Sequence, residues 1–495
     1  MAESGRVIVV GTGPAGAAAA VFLARAGVET LLLETGPKAA PLGITARVRG
    51  VTLGRKKPVL GQRQRLTMVG DPNAQLYEVN APGGLSNQWS CAVPRFSPED
   101  FADAARAGEE QTWPIGYDDL APWYDRVEPL LHIGGATEGA RGLPAGKVER
   151  ALTLGDDWAP VRREAERRER DVVVMPYAYG GATTLTRAAT AFNAFTRLVK
   201  PRERAGLLRV QYDSRALRLE WSPSRRRVVA VILHDNKTGA EERLACRGVV
   251  LGAGAVGSAQ ILLQSANADF PNGLGNAHGV LGHYFHDHPL GKLILDLGRP
   301  VSVHPATYLT RPSLARSAPL YAAAFMQWSG TAALARSVLA GRPGFLTSIG
   351  FSVFGTMAPA RDDFIELDPE KPREKGESAL RMCLRHPKAA TECLEQAKTE
   401  LVEILTGAGW DARVRSWVIE PPGNSVHYGG TCRMHAKPEL GVVDAFCRVH
   451  GVPNVAVADS SVFTTGPEKN PVLTAMTLAA RAGDHLAEHV KHGDL

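Results

Sequence analysis

The hydrophobic pattern is clearest near the amino terminus, where two apolar runs flank a glycine-rich turn and an alanine-rich stretch. The first run is Val7 to Val10, and the second is Val28 to Leu33, directly before Glu34. The alanines and leucines over 17–24 predict a helix between the runs, and Gly27 suits the position just past its end. The pattern therefore predicts a strand, a helix and a second strand, and the second is expected to be a buried parallel strand.

Further along, three β-rich runs are separated by turn-forming residues, which favours an antiparallel meander. The runs are Leu208 to Trp221, Arg227 to His234 and Glu242 to Leu251. A second glycine-rich loop, Gly252 to Ser258, then leads into a predicted helix over 259–265. This loop either passes close to a ligand or allows tight chain packing, and the pattern alone does not decide between the two.

Apolar residues at helical spacing predict three longer helices. They cover Tyr117 to Leu131, the region around Leu394 to Leu405, and Val472 to Val490. Residues 36–90 are punctuated by proline and glycine and have poor periodicity, so extended chain and loops are expected there, placed to run along a long cofactor.

The turn after the first strand has the chemistry of a dinucleotide site. Gly11 allows a tight turn, Gly13 lets the backbone approach a pyrophosphate, and Gly16 lets the helix lie close to the strand. Pro14 suits the first helical position, and the helix amino terminus favours an anion. Glu34 follows at the spacing expected for a carboxylate that binds a ribose 2′-OH, which favours FAD or NAD over NADP.

Composition limits the class of protein. The 495 residues, 44% hydrophobic and 22% charged, fit two closely joined globular domains. No long apolar stretch or leader pattern is visible, so we expect no membrane span and a cytoplasmic enzyme. The six dispersed cysteines favour free thiols. The formal charge is +6, but glutamates interrupt the densest basic stretch, Arg162 to Arg170, which argues against nucleic-acid binding.

On four blocks of residues the chain resembles the glucose-methanol-choline (GMC) flavoprotein oxidoreductases along nearly its whole length. The blocks are the opening glycine turn; Trp113 to Tyr124; Gly252 to Ser258 with Gly282 and Asp287-His288-Pro289; and His427 to Thr431 with Asn470-Pro471. A fifth stretch, Gly83 to Phe96, resembles the flavin-contacting segment of pyranose oxidases and bacterial glycoside oxidases.

The resemblance implies an α/β fold: a Rossmann-like FAD-binding domain with an inserted α+β substrate domain that contains a mostly antiparallel sheet. The expected FAD-binding domain is discontinuous, over 1–91, 201–290 and 425–495. The expected substrate-binding domain covers 92–200 and 291–424.

The resemblance also implies the site. His427 is expected to be the general base and Asn470 its neighbour on the same substrate oxygen, while the substrate hydride passes to flavin N5. The expected cofactor-binding residues are Gly11, Gly13, Pro14, Ala15, Gly16, Glu34, Asn87, Gln88, Trp89, Ser90, Cys91, Ala216, Gly254, Asp459, Ser460 and Pro471. The expected reaction is oxidation of a secondary hydroxyl of a sugar or glycoside to a ketone, with O2 or a quinone-like compound as electron acceptor.

Two details refine this expectation. Gln88 stands where pyranose oxidases commonly have a histidine bonded covalently to the flavin, and an amide is no such nucleophile, so non-covalent FAD is expected. His283, His286 and His288 lie close together, but they fall in a turn of the resembling family without an acidic or cysteine cluster, so no metal site is expected.

Alternatives remain at this point. One is an FAD dehydrogenase of the same fold for another alcohol, such as an aminoglycoside hydroxymethyl group or a simple alcohol. Another is a flavoprotein that binds FAD without catalysis. NAD-linked hydride transfer would need only the first glycine turn and would leave His427 and Asn470 unexplained.

Overall fold

The computed structural model describes residues 5–38, 61–63, 65–178, 192–302, 306–312, 322–328, 345–493 and 495. The strands are β1 Val7–Val10, β2 Thr30–Leu33, β3 Gly61–Gln62, β4 Leu66–Met68, β5 Tyr77–Glu78, β6 Ile133–Gly135, β7 Arg150–Ala151, β8 Val172–Val174, β9 Tyr177–Ala178, β10 Arg209–Gln211, β11 Ser214–Ser222, β12 Arg227–Asp235, β13 Glu241–Ala245, β14 Gly248–Leu251, β15 Leu290–Ser302, β16 Thr307–Leu309, β17 Ala323–Trp328, β18 Phe345–Gly355, β19 Phe364–Leu367, β20 Leu380–Cys383, β21 Ala412–Ile419 and β22 Val455–Val457. The α-helices are α1 Pro14–Arg25, α2 Pro98–Arg106, α3 Tyr117–Val127, α4 Ala159–Glu166, α5 Lys200–Arg204, α6 Gly254–Gln264, α7 Lys388–Gly407 and α8 Val472–His492.

A five-stranded parallel sheet forms the first layer of the fold. Its strand order is β10-β2-β1-β14-β22, so it collects strands from three separated parts of the chain. Helices α1 and α8 pack closely together, since a Cβ at Gly483 would lie 2.9 Å from the carbonyl oxygen of Ala19. The predicted Rossmann-like domain is confirmed, and its parallel strands are buried as expected.

The predicted meander needs a correction at both ends. The run Leu208 to Trp221 is two strands: β10 joins the parallel sheet beside β2, and β11 joins the antiparallel sheet β11-β12-β13. Asp213, with φ of +54°, turns the chain between them. The run Glu242 to Leu251 likewise divides into β13 and β14. Hydrophobic patterning did not show these breaks because β-rich sequence continues across each of them.

A six-stranded sheet, β21-β15-β18-β17-β16-β8, forms the main part of the second domain. Its neighbouring strands are all antiparallel, which confirms the expected inserted sheet. One face packs on α7 and α4 in a second hydrophobic core that contains Leu293, Phe351 and Leu401. Because side chains alternate along a strand, Ser352 and Phe354 lie on the other face, where both line a cleft.

Residues 61–63 and 65–90 form a largely extended segment along this cleft, with one 3-10 turn at Gly84–Asn87; this segment is here called the covering segment. Strand β3 pairs with β5, and β4 pairs in parallel with β20. The backbone N–H of Gln75 donates to the carbonyl of Pro422 at 2.8 Å, and that of Tyr77 donates to the Tyr428 hydroxyl at 2.9 Å. The expected extended chain is therefore present, although residues 39–60 and 64 lie outside the described residues.

Two further expectations concern the whole chain. The six cysteines are free thiols in the structure. Within the described ranges, none of the helices has both the length and the apolar character needed to cross a bilayer.

Candidate active site

A single cleft extends from the opening glycine turn to the carboxy-terminal segment. The space within it that a water-sized molecule can reach is about 520 Å³. Ligand pockets in proteins commonly measure roughly 300–1,000 Å³, so this cleft has the size of a ligand-binding site. We refer to it as the cofactor cleft.

The opening glycine turn divides into packing residues and ligand-facing residues. Gly11 has a φ of +97°, and a Cβ at Gly16 would lie 2.1 Å from the carbonyl oxygen of Gly11. These two glycines therefore permit the turn and the close approach of helix α1. In contrast, a Cβ at Gly13 would meet nothing within 4 Å, and Gly13, Pro14 and Ala15 line the cleft. An anion can approach the helix amino terminus through this open space.

Glu34 lies at the end of β2 and lines the same cleft. Its carboxylate accepts a hydrogen bond from the Thr12 hydroxyl and another from the backbone N–H of Gly36 at 2.7 Å, while burial raises the pKa of this carboxyl. Ala216 lies near Glu34 and also lines the cleft. Two positions before it, the backbone N–H of Ser214 donates to the carbonyl of Glu34 at 2.9 Å. A buried carboxylate beside an open helix amino terminus fits the ribose and pyrophosphate of FAD.

The predicted flavin-contacting stretch is only partly turned toward the cleft. Gln88, Trp89 and Ser90 line it. Asn87 instead donates to the carbonyls of Pro82 at 3.1 Å and Gly84 at 2.8 Å. Cys91 is fully buried and has a φ of +67°, which turns its side chain into the core. The side chains of Asn87 and Cys91 therefore serve local structure.

Asp459 joins the second glycine loop to the carboxy-terminal segment. Its carboxylate accepts from the backbone N–H of Gly254 at 2.9 Å, the Ser258 hydroxyl at 2.6 Å and the backbone N–H of Ser461 at 2.9 Å. Burial raises the pKa of this carboxyl. Gly254, Asp459, Ser460 and Pro471 all line the cleft, and a Cβ at Gly252 would lie 2.7 Å from Cα of Gly16, so the second glycine loop packs tightly and also borders the cleft.

His427 and Asn470 meet at the end of the cleft. The Asn470 Nδ2 lies 3.2 Å from Nε2 of His427. The His427 ring stacks on Phe354, with ring centroids 5.4 Å apart and planes at 27°. Burial lowers the pKa of His427 to about 4, so its imidazole is neutral at neutral pH.

The other nitrogen of the His427 ring faces a second histidine. His427 Nδ1 lies 3.4 Å from Nδ1 of His288. His288 is buried, and its pKa is well below the usual range because of burial and, secondarily, because of the neighbouring His427. Two neutral imidazoles in contact need one donor and one acceptor, so this contact couples their tautomers.

Asp287 holds the chain segment that contains His427. Its buried carboxylate accepts from the backbone N–H of His427 at 2.7 Å, from the backbone N–H of Ser425 at 3.2 Å and from the Ser425 hydroxyl. Burial raises the pKa of Asp287 to about 6. Asp287 and His288 thus orient the imidazole from two sides.

The three clustered histidines have separate partners. His283 Nδ1 contacts the carbonyl oxygen of Arg361 at 2.9 Å, and His286 Nδ1 contacts that of Tyr284 at 3.0 Å. In the part of the chain that the structure describes, no three His, Cys, Asp or Glu side chains are grouped as metal ligands. Sequence reasoning missed the contact of His288 with His427, although the histidine spacing had marked the turn as unusual.

Comparison with known proteins identifies the family. A GMC oxidoreductase model matches residues 94–290, a second model of that family matches 368–479, and an FAD-binding domain model matches 5–55. The chain belongs to the GMC oxidoreductase family. This GMC oxidoreductase therefore uses FAD and acts on alcohol-type substrates, and the cleft residues described above fit that cofactor.

Characterised relatives act on different alcohols. The chain is 26% identical to 2-methyl-1,2-propanediol dehydrogenase of Mycolicibacterium austroafricanum, over 98% of this chain and 96% of the relative. It is 26% identical to paromamine 6'-oxidase of Streptomyces fradiae over 56% of this chain and 52% of the relative. It is 21% identical to the fructose dehydrogenase large subunit of Gluconobacter japonicus, over 58% of this chain and 59% of the relative.

Solved structures share the fold. Pyridoxine 4-oxidase from Mesorbium loti superposes with a TM-score of 0.65 at 16% identity, covering 98% of this chain and 99% of that one. An FAD-dependent oxidoreductase from Chaetomium thermophilum superposes with a TM-score of 0.66 at 13% identity, with the same coverage of both chains. At this identity the likeness supports the GMC fold and no particular substrate.

Proposed function

We propose that this GMC oxidoreductase oxidises a secondary hydroxyl of a sugar or glycoside to a ketone, with His427 as the general base and O2 or a quinone-like compound as the final electron acceptor. The observation that supports this most directly is the His427–Asn470 pair, 3.2 Å apart at the cleft. When bound, FAD supplies the two-electron acceptor that such an oxidation requires.

The base role follows from the tautomer that the contacts favour. If His427 Nδ1–H donates to Nδ1 of His288, the lone pair of His427 lies on Nε2, the nitrogen beside Asn470. A substrate hydroxyl at this position can give its proton to Nε2 while the Asn470 amide donates to the substrate oxygen. The lowered pKa of His427, about 4, keeps Nε2 unprotonated at neutral pH.

The substrate class is inferred from the side chains at this end of the cleft. Among the side chains that line the cleft are hydroxyls, amides and aromatic rings: Gln88, Trp89, Ser90, Ser352, Phe354, Ser425 and Asn470. Hydroxyl and amide groups suit the many hydroxyls of a sugar, and aromatic faces suit its C–H surfaces. The names of two relatives, a paromamine oxidase and a fructose dehydrogenase, agree with this class.

A second candidate is a small diol or simple alcohol. It is favoured by the propanediol dehydrogenase, because that likeness covers 98% of this chain and 96% of the relative. The hydroxyl and amide side chains that line the cleft favour the sugar, since a small diol would engage few of them.

The test is an anaerobic reduction screen, with loss of flavin absorbance as the signal because it assumes no electron acceptor. Monosaccharides, plant and antibiotic glycosides and 1,2-diols are offered separately to the holoenzyme. The proposal expects the fastest bleaching with a sugar or glycoside, and a product in which a ring carbon has become a ketone. Faster reduction by a small diol, or an aldehyde product, would overturn the proposed substrate class.

A further inference from the structure

We infer that a group of polar and charged side chains closes the adenosine end of the cofactor cleft and limits the rate at which FAD leaves. We call it the Arg63 cluster: Arg63, Glu78, Arg215, Gln260 and Glu377, all of which line the cleft. The inference requires only the bound cofactor, so it does not depend on the proposed substrate.

Arg63, in the covering segment, lies at the centre of the cluster. Its guanidinium contacts Glu78 at 3.0 Å and Glu377 at 2.8 Å, and it donates a further hydrogen bond to Gln260. Only 10% of the Arg63 side chain is exposed. Glu377 and Gln260 are 314 and 197 positions away in sequence, so one side chain links the covering segment to two remote elements.

The partners of Arg63 are themselves bonded to strand β11 and helix α6, on the side of the cleft opposite the covering segment. Arg215, on β11, contacts Glu377 at 3.1 Å. The loop after Glu377 is held on helix α6, since Gln260 donates to the carbonyl of Ser378 at 2.8 Å and the backbone N–H of Ser378 donates to Gln264 at 2.6 Å. The cluster therefore joins the segment above the cleft to the helix and strand below it.

The cluster lies at one identifiable end of the cleft. Arg215 directly precedes Ala216, and strand β11 begins beside Glu34, where the Ser214 N–H donates to the Glu34 carbonyl at 2.9 Å. Glu34 is the residue expected to bind the ribose. The adenosine half of FAD would therefore lie between the covering segment and the elements β11 and α6, which the Arg63 cluster holds together. The covering segment must separate from β11 and α6 before that half can leave.

Charge balance distinguishes closure from direct anion binding. The two arginines face two glutamates, so the cluster has no net charge to attract a pyrophosphate. Each guanidinium is already paired with a carboxylate. The cluster can thus slow FAD release by holding the cleft closed, whereas an unpaired arginine would mainly speed FAD association.

The experiment compares FAD release and association in the holoenzyme and in Arg63→Met, which keeps side-chain length but loses the ion pairs. Release is followed after dilution by timed ultrafiltration and FAD fluorescence of the filtrate, and association is followed by adding FAD to the apoprotein. Closure predicts about tenfold faster release in Arg63→Met, equivalent to about 1.4 kcal/mol, with association unchanged or faster.

A matched control and a second variant complete the test. Arg299, on β15, pairs with Asp157 at 3.2 Å, with 44% and 27% of the two side chains exposed and neither residue lining the cleft, so Arg299→Met should release FAD at the wild-type rate. Glu377→Gln, which removes charge with little change of shape, should also speed release. Wild-type release should quicken with added salt more than release from Arg63→Met.

The inference would be overturned by unchanged release in both Arg63→Met and Glu377→Gln. It would equally be overturned by slower association with unchanged release, since that result would make Arg63 an anion-binding residue. Neither outcome bears on which alcohol reduces the flavin, so the proposed substrate class is tested separately.

Discussion

Nδ1 of His288 lies 3.4 Å from Nδ1 of His427, so the tautomers of the two rings are coupled. When His288 accepts, His427 holds its proton on Nδ1 and presents the lone pair of Nε2 beside Asn470. A base oriented by a second group is the general arrangement of side-chain catalysis. For the proposed base His427, the orienting group would be the neutral imidazole of His288 rather than a carboxylate.

His288 is accordingly expected to support catalysis without being the base. His288→Ala should slow anaerobic flavin reduction by about tenfold, because His427 loses the acceptor that fixes its tautomer. His288→Asn, whose amide oxygen can accept the same hydrogen bond, should recover part of the rate. Stopped-flow absorbance measures both variants.

The control for this prediction is another histidine of the same turn. His283 contacts the Arg361 carbonyl at 2.9 Å and has no contact with His427, so His283→Ala should reduce at the wild-type rate. Equal rates in His288→Ala and the wild type would remove His288 from the account.

A buried ionic group behind Asn470 should matter for stability. Lys469 Nζ lies 2.7 Å from Asp100 and 2.9 Å from Glu468, and its side chain is fully buried. Lys469→Met would leave two buried carboxylates short of a partner, so we expect a loss of roughly 3–5 kcal/mol in the free energy of unfolding. Chemical denaturation monitored by circular dichroism measures this loss.

An exposed ion pair provides the comparison. Lys437 pairs with Glu109, with 57% and 62% of the two side chains exposed, so Lys437→Met should leave the free energy of unfolding close to the wild-type value. Similar losses in the two variants would show that burial of the Lys469 group has no energetic consequence.

Stability should also fall as the pH is lowered from 7 to 5. Burial lowers the pKa of His286, His386 and His427 to about 4, and that of His288 well below its usual range. Each histidine binds a proton in the unfolded chain near pH ~6.5 but not in the folded one, so its stabilising contribution is lost as pH falls through this window.

Asp287 has the opposite sign, because its pKa is raised to about 6 and its contribution is therefore lost as pH rises. Burial also raises the pKa of the Glu34 and Asp459 carboxyls, but the four histidines titrate in the unfolded chain within this window, so the melting temperature at pH 5 should lie below that at pH 7. His386→Gln removes one of these titrating groups and should flatten the dependence. A melting temperature that rises between pH 7 and pH 5 would contradict this assignment.

The flavin should be held without a covalent bond. Gln88 lines the cleft at the position where the resemblance of Gly83 to Phe96 to pyranose oxidases would place a flavin-bonded histidine, and an amide cannot make that bond. Acid precipitation of the holoprotein should therefore leave a colourless pellet and a yellow supernatant. Flavin retained in the pellet after washing would show a covalent linkage and require a different attachment residue.

Local features of this molecule could be predicted from its sequence. The glycine turn, helix α1 and Glu34 depend on neighbours within about one βαβ unit, so their spacing alone indicated the nucleotide site. The pairing of Asp287 and His288 with His427 spans about 140 positions and depends on how two segments pack. No pattern in either segment specified it.

The Arg63 cluster could not be predicted either, because its members are also far apart in sequence. The partners of Arg63 come from β5, helix α6 and the loop before β20, and in sequence each is an ordinary polar residue. The position of Phe354 at the cleft could not be predicted from the sequence. Alternation along β18 shows that alternate residues share a face but not which face meets the cleft.

The most direct measurement of the central claim is anaerobic flavin reduction by a substrate found in the screen, compared between the wild type and His427→Ala at matched FAD content. Loss of a general base predicts that reduction slows by at least ~10²-fold while the flavin absorbance spectrum and FAD binding persist. Asn470→Ala should slow it by a smaller factor. Reduction of His427→Ala at the wild-type rate would contradict the account.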